Sequence, residues 1–100
     1  MTRRRLLDEH EIDELVEAHP RWRREGDRLV AVFDFADFTA AFAWMTAVAL
    51  ISERLDHHPD WSNSWNHVEV RLSTHSAGGV TDLDRAWVDA VEALELTPRT

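Results

Sequence analysis

Apolar residues recur at three- and four-residue spacing in three stretches of the chain and alternate with polar ones in the segments between. Residues 6–18 predict a first helix, with Ile12, Leu15 and Val16 on one face and Asp8 placed as N-cap three residues before Glu11. Leu7 and Ile12 flank that cap as a hydrophobic staple would, and His19-Pro20 ends the helix because a residue before proline avoids the α region. Residues 21–25 and 28–35 predict two strands around a Gly26-Asp27 turn. Leu29, Ala31, Phe33 and Phe35 fall on one side of the second strand, and Arg28, Val30, Val32 and Asp34 on the other.

Residues 36–55 predict a long central helix with Asp37 near its start. It carries two apolar stripes. One holds Phe38, Ala41, Phe42, Met45, Val48, Ala49 and Ser52; the other holds Trp44, Val48, Ile51 and Leu55. A helix with so wide an apolar surface is covered on more than one side, so the sheet is expected to take the first stripe and a subunit contact the second. Residues 56–63 then form a short extended segment and residues 65–74 a longer strand. On that strand Asn66, Val68, Val70, Leu72 and Thr74 face the core, while Trp65, His67, Glu69, Arg71, Ser73 and His75 face an open polar side. After a turn at 76–79, Thr81 caps a last helix, with Asp84 completing a box-like pattern. Leu83, Ala86, Trp87, Ala90, Val91 and Leu94 line its buried face, and Pro98 marks its end. The order α-β-β-α-β-β-α predicts an α+β fold: one four-stranded antiparallel sheet with three helices packed on one face.

A chain of 100 residues is expected to form one domain over 1–100 and to bury a modest core unaided. It has no cysteine, which excludes disulfides, thiolate metal sites and a cysteine nucleophile and fits a cytoplasmic location. A net charge of −8 makes nucleic acid a poor partner, and Arg3-Arg4-Arg5 is too short a run to change that, so it reads as a solvated tail. The most apolar segment, Phe38–Leu55, reads as too short and too interrupted to span a bilayer, so no membrane partner is expected.

The chemistry concentrates in residues 53–75, which hold four of the six histidines and two of the five tryptophans. Imidazoles titrate near neutrality, so His57, His58 and His75 brought together could exchange protons at working pH. Three nitrogens would suffice in number for a metal. Adjacent extended residues point in opposite directions, however, so His57 and His58 do not readily grip one ion, and no metal is expected. No serine sits in a nucleophile elbow and there is no glycine-rich phosphate cradle. Asp56 is placed to orient an imidazole. The structural alternative is that His57 and His58 simply terminate a helix, where cationic side chains complement the dipole. His10, His19 and His67 read as surface residues. Trp22 is either a core aromatic or a wall for a flat ligand.

The residues Glu53, Asp56-His57-His58-Pro59-Asp60-Trp61, Asn63, Asn66-His67-Val68, Leu72-Ser73-Thr74-His75, Gly79, and Thr81 with Asp84 resemble the signature of the pterin-4a-carbinolamine dehydratase family. Trp22, Asp37-Phe38, Ala41-Phe42 and Met45 also match the family pattern. The resemblance implies the fold predicted above, in homodimers or homotetramers. It implies loss of water from a 4a-hydroxytetrahydropterin to give a quinonoid dihydropterin, in tetrahydrobiopterin recycling beside a pterin-dependent aromatic amino acid hydroxylase. No cofactor is implied, because the pterin is the substrate. By the same resemblance His57 and His75 transfer protons, His58 holds the pterin, Trp22 packs on its ring, and Ser73, Asp84 and Asp56 lie near it. For Asp84 the helix-cap reading stands beside the catalytic one, while Glu53, Asp60 and Trp61 shape the loop. Trp65 stands where a tyrosine is usual, Ser64 where an apolar residue is common, and Val80 where leucine is common; these departures touch packing rather than the histidines. The alternatives are a non-catalytic protein-binding or assembly module on the same fold, as in animal relatives that serve as dimerisation cofactors of a homeodomain transcription factor, and dehydration of another substrate.

Overall fold

Asp8 decides where the chain first turns helical. In the computed structural model, which describes residues 5–94, its side chain accepts the Glu11 N–H at 2.8 Å and Glu11 Oε1 accepts the Asp8 N–H at 3.1 Å, a complete capping box. Helix α1 is therefore Glu9–Ala18 and does not begin at residue 6. Leu6 instead bridges Thr81 in extended conformation, and the Leu7 N–H donates to Val80 O at 2.9 Å. Leu7 and Ile12 are both buried, as a staple requires. Arg3, Arg4 and Pro98 lie outside the described residues.

Glu11 carries a second load. Arg5 donates from both guanidinium Nη atoms to its carboxylate at 2.8 and 2.9 Å. With the Asp8 N–H, that pairing holds the Glu11 carboxyl down at about 2, below its ordinary 4.5. Because the folded value is the lower one, this stabilisation is complete above pH 4.5 and disappears as pH falls through about 2. Glu11→Gln should therefore lower the urea midpoint at neutral pH, by an amount that shrinks steadily across that acid window. A gap of constant size would contradict the pairing.

The remaining elements are β1 (Trp22–Glu25), β2 (Arg28–Asp34), α2 (Phe38–Leu55), β3 (Asp60–Ser64), β4 (His67–Leu72), a 3₁₀ turn (His75–Ala77) and α3 (Asp82–Glu92). The strands form one antiparallel sheet in the order β1-β2-β4-β3. Central register places Leu29, Ala31 and Phe33 opposite Leu72, Val70 and Val68. That face joins Ile12 and Leu15 of α1, Trp44 and Val48 of α2, and Trp87 and Val91 of α3 in one buried cluster, so all three helices cover the same side. On the other side Val30 is buried between Arg23 and Arg71, its register neighbours, whose aliphatic stems can shield it.

Both hairpins turn in two residues. Gly26 takes φ +62°, where a side chain would be strained. The second turn corrects the expected 65–74 strand: Trp65 sits at φ +50° in the turn, not on the sheet's polar face. Two asparagines hold it. Asn63 Nδ2 donates to the carbonyls of Trp65 and His67 at 3.0 and 3.1 Å, and Asn66 Nδ2 donates to Phe35 O at 2.8 Å. The segment before it is thus a paired strand, β3, and not merely extended chain. From His67 onward the expected alternation holds, with Val68, Val70, Leu72 and Thr74 buried.

Helix α2 reverses the expected use of its stripes. Trp44, Val48 and Ile51 are buried against the sheet, together with Ala41 and Ser52, whereas Phe38 and Phe42 are 46% and 54% exposed. Its 18 residues and mean hydropathy of 1.2 meet the length and composition of a membrane span, so sequence alone does not bar one as had been expected. The packed face, with Ser52 accepting the Trp87 indole N–H at 3.0 Å, marks it as a helix seated on this sheet. In α3, Ala86 points outward and Val88 takes the buried place expected of it.

Candidate functional site

The site forms where α2 stops. Asp56 adopts φ +50°, and its N–H reaches Glu53 O at 3.2 Å while the His57 N–H reaches Ser52 O at 3.0 Å. This is a Schellman reversal, with an aspartate, which tolerates the left-handed region, where glycine is commonest. It turns the chain back so that His57 enters the protein, only 8% exposed, and His58 stays outside.

His57 Nε2 lies 2.6 Å from Asp84 Oδ1. Asp84 is fully buried at the third position of α3, and its second oxygen accepts Thr74 Oγ1 at 2.7 Å and the Thr81 N–H at 2.8 Å. Donors therefore meet both oxygens, and the helix N-terminus favours negative charge there; a buried carboxylate needs both conditions. The network assigns the Nε2 proton to His57 and leaves Nδ1 as its free ring nitrogen. Asp84 thus at once completes the capping box of α3 and partners His57.

The other two histidines follow the same rule with weaker partners. His58 Nε2 lies 2.6 Å from Glu53 Oε1, both side chains being exposed. His75 is not at the strand's end but opens the 3₁₀ turn, closed by Gly78 at φ +74°. Its Nε2 is 3.7 Å from Asp60 Oδ2, an ion-pair separation rather than a hydrogen bond. Each of the three imidazoles has its Nε2 toward a carboxylate, leaving Nδ1 available. They share one end of the sheet: His57 and His58 are adjacent, Asp60 reaches His75, and Thr74, the neighbour of His75, holds the carboxylate that holds His57.

Two expected members are elsewhere. Trp22 is 1% exposed, edge-on to Phe33 and Trp87 with centroids 6.0 Å away, and its Nε1 donates to Glu92 at 3.0 Å. It is a core residue with no free face for a flat ring. Asp56 is exposed at the helix reversal, and the carboxylate orienting His57 is Asp84 instead. Ser73 is half-buried on the strand face opposite Thr74. Glu53 and Asp60, expected only to shape the loop, and Thr74, expected on the core face of the strand, meet the histidines or their carboxylates directly. The signal for Thr74 is a hydroxyl that follows the core-facing run Val68, Val70 and Leu72. Of the histidines expected at the surface, His67 pairs with Asp34 at 2.8 Å, His10 is exposed, and His19 is half-buried against Asp89 at 3.0 Å.

An antiparallel sheet with three helices on one face and carboxylate-paired histidines at one end defines an α+β protein. The chain belongs to the pterin 4 alpha carbinolamine dehydratase family, whose model matches residues 5–94. A Rhizorhabdus wittichii relative is 50% identical over 91 residues, covering 89% of this chain and 93% of that protein. One from Prochlorococcus marinus is 44% identical over 91 residues, covering 91% and 95%. Both bear the name "Putative pterin-4-alpha-carbinolamine dehydratase". Among solved structures, a transcriptional coactivator/pterin dehydratase from Brucella melitensis superposes with a TM-score of 0.85 at 40% identity, covering 89% of this chain and 97% of that one. A pterin dehydratase-like protein identified as a RuBisCO assembly factor in the alpha-carboxysome shares the fold at a TM-score of 0.60 and 24% identity, covering 73% and 84%.

Proposed function

We propose that the chain dehydrates 4a-hydroxytetrahydropterins in the cytoplasm, consuming the product of a pterin-dependent aromatic amino acid hydroxylase. The observation that carries the reading is the buried Asp84–His57 pair at 2.6 Å beside two exposed histidines. The reaction breaks the C4a–O bond, forms the C4a–N5 double bond and removes the N5 proton. An acid protonates the departing hydroxyl as a base takes that proton, so protons balance and no cofactor enters. His57, held through Nε2, offers Nδ1 for one transfer; His75, looser and solvent-facing, suits the other; His58 and Glu53 would grip the pterin's polar edge. Each such group supplies roughly 10²–10⁴-fold. The test is the decay of a 4a-hydroxypterin followed by absorbance, with H57A and H75A as controls. Wild-type protein that leaves the spontaneous rate unchanged would overturn the reading.

The exposed face of α2 favours a second role in assembly. Phe38, Phe42, Met45 and Ala49 recur at four-three-four spacing, the seam of paired helices, and the Phe38 and Phe42 rings lie 5.5 Å apart. A second copy is the proposed occupant, giving a homodimer or homotetramer. Phe42→Asp should shift the sedimentation coefficient toward a monomer while preserving the circular dichroism spectrum. A wild-type chain that sediments as a monomer at micromolar concentration removes this role and leaves the dehydratase reading intact.

A further inference from the structure

We infer that Thr74 is a positioning residue whose hydroxyl fixes the Asp84 carboxylate and, through it, the His57 imidazole. The kinetic part of this inference rests on the dehydratase reading; the spectroscopic part does not. Thr74 is itself immobilised from both sides. Its N–H donates to Gly79 O at 2.9 Å, and its carbonyl accepts the N–H groups of Ala77 and Gly78, both at 3.0 Å. Its side chain is buried, with Oγ1 2.7 Å from Asp84 Oδ2 and 2.7 Å from Thr81 Oγ1.

The direction of these bonds follows from what each group can do. Thr81 Oγ1 already accepts the Leu83 N–H at 3.2 Å as the helix cap, so its own proton is free to go to Thr74 Oγ1. Thr74 then gives its proton to Asp84 Oδ2. The chain runs one way, from Thr81 through Thr74 to Asp84, and His57 donates into the other carboxylate oxygen. Removing the Thr74 hydroxyl deletes the shortest donor to Oδ2. The Thr81 proton is left with only a 3.4 Å approach to the same atom. Only the Thr81 N–H, at 2.8 Å, then still holds that oxygen, so the carboxylate and the His57 ring bonded to it are less tightly fixed. Thr74 does not reach the solvent-facing side of the histidines, so its loss alters the transition state more than substrate capture.

The test compares the full chain with T74V, which keeps the shape, and T74S, which keeps the hydroxyl. In imidazole proton–nitrogen spectra, wild type and T74S should show a slowly exchanging His57 Nε2–H resonance that T74V loses. In the dehydration assay, T74V should lower kcat by about tenfold to a hundredfold with KM changed less than about twofold, and T74S should recover most of the loss. Should T74V fail to fold by circular dichroism, T74A carries the same comparison without an added methyl group. A T74V or T74A protein that keeps the resonance overturns the inference, as does a T74S protein that loses it. If wild type does not dehydrate pterins, the resonance alone decides, and the failure then belongs to the functional reading.

Discussion

Replacing Asp84 by Asn is expected to slow dehydration by roughly 10²–10⁴-fold in a chain that still folds. The direction follows from the donors around Asp84. Thr74 Oγ1 and the Thr81 N–H both point at Oδ2 and both must donate, so the amide oxygen of the substituted side chain takes that place. Its NH₂ group then occupies the Oδ1 place, 2.6 Å from His57 Nε2. Two donors cannot share one bond, so Nε2 must give up its proton and accept. The ring carries its proton on Nδ1 instead, and the nitrogen that should collect the substrate's proton is blocked. The geometry is kept and the tautomer inverted, which is a sharper lesion than truncation. Stability falls less, because the helix-capping oxygen survives and only the charge is lost. Absorbance kinetics and imidazole nitrogen shifts read the two effects separately. A D84N protein within about twofold of wild type would falsify the assignment of His57 as a proton-transfer group.

Much of this arrangement was legible in the chain because it depends on neighbours in sequence. Asp8, Asp37 and Thr81 each stand where their side chain meets a backbone N–H two or three residues on, and each caps its helix. The alternation from His67 to Thr74 sorted core from solvent correctly because a single pleat imposes it. What failed depends on partners distant in the chain. Both stripes of α2 are apolar, so periodicity could not say which one the sheet would cover. Trp22 is closed off by Trp87 and hydrogen-bonded to Glu92, 70 positions away. Glu53 meets His58 only because Asp56 reverses the chain in the left-handed region, a conformation that aspartate permits without demanding. A tryptophan at position 65 suits a strand, but the asparagines on either side of it, Asn63 and Asn66, carry the turn signal that the fold obeys. For Asp84 the sequence offers a helix-cap reading beside a catalytic one; in the fold one carboxylate oxygen completes the capping box and the other meets His57, a partner 27 positions away that no local pattern names.

Substituting Trp87 by Ala is expected to cost about 3–5 kcal/mol, a large part of the roughly 5–15 kcal/mol that keeps a domain of this size folded. The indole is fully buried where α3 meets α2, perpendicular to Trp22 at 6.0 Å. Its removal opens a cavity in the buried cluster and also strips Ser52 of its donor. That serine is not incidental: its carbonyl receives the His57 N–H, so slack at Trp87 is transmitted to the site across one residue. Size and polarity can be separated. Trp87→Phe keeps most of the ring and deletes only the N–H. Ser52→Ala keeps the ring and leaves that N–H buried without a partner, which should cost about 1–3 kcal/mol. In the W87F background the serine has nothing to receive, so S52A should there cost close to nothing, and urea melts of the four proteins give the coupling directly. If S52A costs the same in both backgrounds, the indole bond carries no stability, and the junction of α2 with α3 is held by packing alone.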